Sequence, residues 1–214
     1  KRVLRVMKLF GIKPYRRRGK KWRKGSGLSV VYPNLLLTAA PQYPNHIWAS
    51  DFTGLGYKGK TIYLATVIDI LTREVVGFSV SVNHSVYLVI NAFLSAVQQR
   101  PPPDISHSDQ GSEYKAKTYT ELVESLGTEL SMSRKASPWE NGYQESFYSQ
   151  FKVDLGDPNR FESLGELIAE IYQTIHIYNT QRIHTALKTS PRNYAMLYSL
   201  KKLTKDTPGM QKVS

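Results

Sequence analysis

Three acids stand where acids are costly unless they are used: Asp51 inside an apolar strand-like run, Asp109 just past a short one, and Glu145 in the middle of a helical pattern. Taken singly, each has an ordinary account. Asp51 reads as a strand-end acid, Asp109 as the first residue of an Asp-Gln-Gly-Ser turn, and Glu145 as a solvated helix residue. Taken together, in a chain with no cysteine, carboxylates from separate segments suit magnesium or manganese held by a few oxygens plus substrate phosphate. Two such ions about 3.5–4 Å apart can activate an attacking oxygen and stabilise the leaving oxygen of an in-line phosphodiester displacement.

The helix carrying Glu145 adds geometry to this reading. Trp139, Tyr143, Phe147 and Phe151 recur every four residues and predict the buried face. At about 100° per residue Glu145 points away from that stripe, with Asn141 one turn before it and Lys152 two turns after it. An Asn/Glu/Lys line therefore faces something other than core. Lys152 suits a point charge that steers phosphate, and equally a plain surface lysine.

Around these residues the pattern predicts an α/β chain. Residues 47–53, 61–70 and 74–82 read as successive antiparallel strands, the first two joined through Tyr57-Lys58-Gly59-Lys60. The middle run is apolar on nearly every residue, as a strand covered on both faces should be, and the third alternates as a strand nearer an edge does. Val86, Val89, Ile90, Phe93, Leu94 and Val97 follow the helical period until Pro101-Pro102-Pro103. A strand at 104–108, a helix at 118–126 closed by Gly127 and a strand at 128–132 complete a mixed five-stranded sheet, in the order βββαβαβα. Ser137-Pro138-Trp139-Glu140 and Ser163-Leu164-Gly165-Glu166 fit capping boxes that open helices at 138–153 and 164–179. In the second of these, Leu164, Leu167, Ile168, Ile171, Tyr172 and Ile175 form the apolar face.

The 214 residues suffice for one sizeable core. No run approaches the roughly 18–20 apolar residues of a membrane span, and the chain reads as soluble and cytoplasmic. The net charge of +12 is concentrated at one end: residues 1–50 hold 12 Lys/Arg and no acid, and the remainder holds 17 of each sign. A short helix over residues 1–10 leads into Arg16, Arg17, Arg18, Lys20, Lys21, Arg23 and Lys24, interleaved with Tyr15 and Trp22. Such a basic, aromatic-bearing arm suits a polyanion, because each neutralised phosphate releases counterions; a solvated tail is the plain alternative. The layout is an arm at 1–24, a linker at 25–44, a core at 45–198 and a tail at 199–214.

With these residues on the page, the chain resembles bacterial insertion-sequence transposases of the DDE class, relatives of retroviral integrases with a ribonuclease-H-like fold. The resemblance rests on Trp48-Ala49-Ser50-Asp51, on His107-Ser108-Asp109-Gln110-Gly111-Ser112, on Trp139-Glu140-Asn141 with Glu145-Ser146-Phe147, and on Tyr178-Asn179-Thr180-Gln181-Arg182-Ile183-His184. Asp109 and Glu145 are separated by 35 residues, a spacing similar to that of the integrase branch. The resemblance implies that Asp51, Asp109 and Glu145 form a triad holding Mg2+ or Mn2+, two ions per site. It further implies that Lys152 meets the element end and that Arg134, Lys135, Asn141, Arg182 and His184 touch DNA or brace the site. Asp69 is read as a structural turn residue, His107 as packing and His176 as an ordinary helix residue.

The expected activity is cleavage at the ends of a mobile element to free a 3′-hydroxyl, which then attacks another phosphodiester. The expected partners are double-stranded DNA, as terminal inverted repeats and target, and at least a second copy of the chain. The rival readings are a ribonuclease-H-type nuclease without strand transfer and a catalytically inert DNA-binding regulator.

Overall fold

The computed structural model describes residues 2–11, 31–134 and 141–206. Arg16, Arg17, Arg18, Lys20, Lys21, Lys24 and Lys135, and the Ser137-to-Glu140 capping box with Trp139, lie outside the described residues. A first helix, α1 (Arg2–Leu9), matches the short helix expected at the start.

Strand β1 (Ile47–Tyr57) pairs antiparallel with β2 (Lys60–Asp69) through a turn in which both central residues, Lys58 and Gly59, have positive φ. That backbone matches the right-handed twist of a hairpin, and the glycine supplies one of the two left-handed positions without strain. β1 runs four residues beyond the 47–53 expected, because Gly54 and Gly56 obscure a strand that the ladder to Tyr63 and Thr61 nevertheless holds. β3 (Val75–Ser81) completes the meander and is an edge strand, ending before Val82, which is exposed.

Helix α2 (Val86–Val97) then crosses to β4 (Ile105–Ser108), and α3 (Lys117–Ser125) crosses to β5 (Glu129–Met132). β4 lies parallel to β1 and β5 parallel to β4, so the sheet order is β3-β2-β1-β4-β5. The chain ends in α4 (Gly142–Leu155), α5 (Leu164–Thr180) and α6 (Pro191–Asp206). α6 was not legible as a helix and passes through residue 198, where the family-like motifs end.

Helices cover both faces of the sheet. Ala65 and Val67 of β2 pack with Trp48, Phe93, Tyr119 and Val123 on the α2/α3 side. Leu64 and Ile68 pack with Phe147, Phe151, Leu167 and Ile171 on the α4/α5 side. This explains the continuous apolar run of β2: alternate residues serve two cores. α2 lies so close to β3 that a Cβ at Gly77 would stand 2.5 Å from the Ala92 carbonyl oxygen. The Ser163 hydroxyl accepts from the Glu166 N–H at 3.2 Å, as the capping box requires, while the Glu166 carboxylate accepts from Glu162 N–H rather than from Ser163. Tyr172, placed on the apolar face by periodicity, is exposed and stacks edge-on against Phe78 at the rim of that face. Within the linker span, Pro33 and Leu35 dock on β5: the Pro33 carbonyl accepts from Met132 N–H, and Leu35 N–H donates to Ser131 Oγ.

Candidate active site

The parallel pairing of β1 with β4 brings the two aspartates together. Ala49 is opposite His107, so Asp51 and Asp109 each lie two residues further on along neighbouring parallel strands, Asp51 within β1 and Asp109 just past the end of β4. Asp109 opens the turn its sequence announced: its Oδ1 accepts from Gly111 N–H at 2.8 Å. A Cβ on Gly111 would come within 2.9 Å of that oxygen, so glycine keeps the turn closed around the carboxylate.

Glu145 arrives from the opposite side of the sheet edge on α4, and a buried polar network sets the rotation of that helix. Gln144 Nε2 donates to the Ala49 carbonyl at 2.6 Å, and Thr66 Oγ1 donates to Gln144 Oε1 at 2.9 Å. One turn on, the Tyr148 hydroxyl donates to the Asp51 carbonyl at 2.7 Å. These bonds fasten α4 to β1 on both sides of Ser50, with Gln144 fully buried and Tyr148 nearly so. The next residue, Glu145, is exposed, and its charge reaches Asp51. Neither Gln144 nor Tyr148 was found from the sequence; the available signal was a pair of hydrogen-bonding residues at i and i+4 beside the aromatic positions.

The buried face of α4 is accordingly Gln144, Phe147, Tyr148, Phe151 and Leu155, with Tyr143 only half-buried. The described helix begins at Gly142, with Asn141 as its N-cap and without a side-chain capping bond. Asn141 is itself buried, so the expected Asn/Glu/Lys line has two exposed members, Glu145 and Lys152.

Electrostatics show the three acids in one field. The Asp51 carboxyl is raised from its ordinary 3.8 to about 7, chiefly by burial and further by the charges of Asp109 and Glu145, against a hydrogen bond from Phe52 N–H. Desolvation and like charge both disfavour the ionised form. Among the described residues no group of three or more acid or histidine side chains is placed so as to hold a metal ion. The donor set nevertheless suits a hard cation: three carboxylates from three elements, no sulfur, and an Asp51 destabilised by its neighbours' charge. At the rim, Glu113 pairs with His84 at 3.2 Å, and the His84 ring lies between Phe52 and Tyr63.

The other expected residues divide. Asp69 is structural: buried, it accepts from Asn45 and Thr72 N–H. His107 is fully buried with Nδ1 2.8 Å from Ser131 Oγ, and His176 is exposed on α5. Arg134 is exposed after β5. Arg182, paired with Asp154 at 2.9 Å, and His184 gather around another flank of α4 together with Arg73.

This sheet order, with one acid within β1, one just past β4 and one on α4, defines a ribonuclease-H-like integrase core. The HTLV-2 integrase catalytic core domain, solved in complex with magnesium, superposes with a TM-score of 0.61 at 20% identity, over 73% of this chain and 99% of that one. The family models for the integrase core domain match residues 41–138 and 126–191. The chain is 38% identical to the transposase for insertion sequence element IS904 of Lactococcus lactis over 202 residues, 91% of this chain and 79% of that protein. It is also 38% identical to a 31 kDa protein of insertion element IS600 from Shigella sonnei, covering 73% of this chain and 59% of that protein. The chain belongs to the family of bacterial insertion-sequence transposases with an integrase core.

Proposed function

We propose that the chain is a metal-dependent transposase that cuts DNA at the ends of its element and joins the freed ends to new phosphodiesters. The observation that carries this reading is the shared field of Asp51, Asp109 and Glu145: two acids from separate segments act on the buried carboxyl of the third. Their convergence supports the triad, and the magnesium complex of a protein with the same fold supports the metal.

Asp51, Asp109 and Glu145 would hold two Mg2+ or Mn2+ ions, which supply Lewis-acid polarisation and charge neutralisation at the reacting phosphate. In the first step a water oxygen bonds to phosphorus and the P–O3′ bond breaks, leaving a 3′-hydroxyl and a 5′-phosphate. In the second, that 3′-hydroxyl attacks another phosphodiester, whose own P–O3′ bond breaks, so the number of phosphodiesters is conserved. Gln144 and Tyr148 orient the helix that presents Glu145. Lys152, Arg134, Lys135 and Asn141 contact the element end, and the arm residues Arg16, Arg17, Arg18, Lys20, Lys21 and Lys24 follow the duplex backbone. Acting on two ends requires at least two copies of the chain.

The test is cleavage of a duplex from the element end with magnesium present. Asp109→Asn and Glu145→Gln are expected to abolish cutting while duplex binding stays within a few-fold of the parent. A duplex supplied with a free 3′-hydroxyl should yield joined product with the parent. Cutting without joining supports the nuclease reading instead, and unimpaired cutting by either variant refutes the triad.

A further inference from the structure

A cavity of about 680 Å³ lies on the flank of α4 lined by Gly142, Tyr143, Ser146 and Ser149, and closed by the segment after α5. Gly142 and Ser149 stand three residues before and four after Glu145, so they are its neighbours on the helix surface. The cavity therefore borders the helix that carries Glu145, on the neighbouring flank.

Its walls hold an unusual concentration of positive charge. Arg73, from the turn between β2 and β3, stacks its guanidinium 4.0 Å from the centre of the Tyr143 ring. Arg182 and His184 come from the segment after α5. The charges of Arg73 and Arg182 reach both His184, whose pKa burial and they depress, and Tyr178, whose hydroxyl burial raises to about 12 against their pull. Three basic groups thus converge; among the described residues Asp154 pairs with Arg182, and the charge of Asp69 reaches Arg73. Asp69 sits behind the turn with its oxygens occupied by the Asn45 and Thr72 amides.

Two further features show that the arrangement carries a cost. Arg73 has φ +62°, a left-handed backbone that disfavours any residue with a Cβ by about 1–2 kcal/mol. His184 Nδ1 is buried with no hydrogen-bond partner among the described residues. A strained arginine, an orphaned ring nitrogen and a second arginine around one cavity are complementary to an anion with several acceptor oxygens. Arginine forks match phosphate oxygens in pairs.

We infer that this cavity binds a backbone phosphate of the DNA strand whose reacting phosphate lies at Asp51, Asp109 and Glu145. Arg73 and Arg182 grip the oxygens and His184 donates from its ring. The inference rests on the proposed action on DNA and adds a second anchor that fixes how the strand crosses α4.

The experiment measures binding of a duplex of about 30 base pairs from the element end, with single phosphates replaced in turn by uncharged methylphosphonate. With the parent, one or two adjacent positions should weaken binding about 10-fold, the loss of one charge-assisted contact. Arg73→Gln and Arg182→Gln should weaken the unmodified duplex by a similar factor, lower the salt slope by about 0.9 and make those same positions silent. Arg73→Lys, which keeps the charge without the fork, should recover part of the loss. Two variants from different segments guard against a folding defect in either one, and an unchanged melting temperature checks each.

Parent-like affinity in both folded variants, or undiminished sensitivity at the same positions, overturns the inference. Failure of the parent to bind duplex at all defeats the DNA reading itself. The cavity is then judged with inorganic phosphate, followed by the His184 ring resonances. Shifts in the parent that vanish in Arg73→Gln leave an anion site for free phosphate, whereas no shift in the parent removes the anion site as well.

Discussion

Replacing Asp51 with asparagine should stabilise the metal-free protein as it destroys cleavage. The carboxyl is raised from 3.8 to about 7 in the folded chain, mainly by burial and then by the charges of Asp109 and Glu145. Between those values the folded state holds a proton that the unfolded state has released. Stability therefore falls as pH rises from about 4 to 7, and the penalty is complete above 7. At about 1.4 kcal/mol per pH unit, this separation corresponds to roughly 4 kcal/mol of folding free energy as an upper bound. Asparagine keeps an acceptor for Phe52 N–H and carries no charge, so it removes the penalty without emptying the site. For a chain of this size each kcal/mol moves the melting temperature by about 2–4 °C. Thermal unfolding with chelator present should show the variant several degrees above the parent at pH 8 and level with it near pH 4. Magnesium should raise the parent's melting temperature at pH 8 and leave the variant's almost unmoved. Equal melting of parent and variant at pH 8 would falsify the claim that the folded chain raises the Asp51 carboxyl.

Two substitutions test the frame behind the site. Gln144→Leu takes the side-chain donor from the Ala49 carbonyl and one of the two acceptors near the Thr66 hydroxyl; denaturant unfolding should show a loss of about 1–3 kcal/mol, and cleavage should fall further than that loss accounts for, because Glu145 is no longer held in place. Gly77→Ala forces a methyl into the Ala92 and Ala96 backbone of α2 and should cost about 1–3 kcal/mol while leaving the metal dependence of cleavage unaltered.

The chain's own order of residues was enough for the five strands and for most of the helices, though not for α6, and it singled out the three acids as candidates. Alternation along β1 to β3, the Lys58-Gly59 turn and the Ser163–Glu166 box are local signals, because strand pleat, hairpin twist and helix capping each depend on residues a few positions apart. The acids were legible for a related reason: a charge inside an ordered run is conspicuous, and the spacing from Asp109 to Glu145 spans a whole crossover unit.

Tertiary structure alone decided what the helices turn towards. Periodicity put Tyr143 and Tyr172 on buried faces; the first is half-buried and the second exposed, because the neighbouring element sets where a face ends. It gave no hint that Gln144 and Tyr148 would bond to β1, since their partners Ala49 and Asp51 lie more than ninety residues away. Nor could it bring Arg73 to Arg182 and His184, which meet only after the sheet is paired and α5 is laid across it. Local pattern states which side of an element avoids water. Which distant polar groups face one another depends on register and packing angle, and those belong to the folded whole.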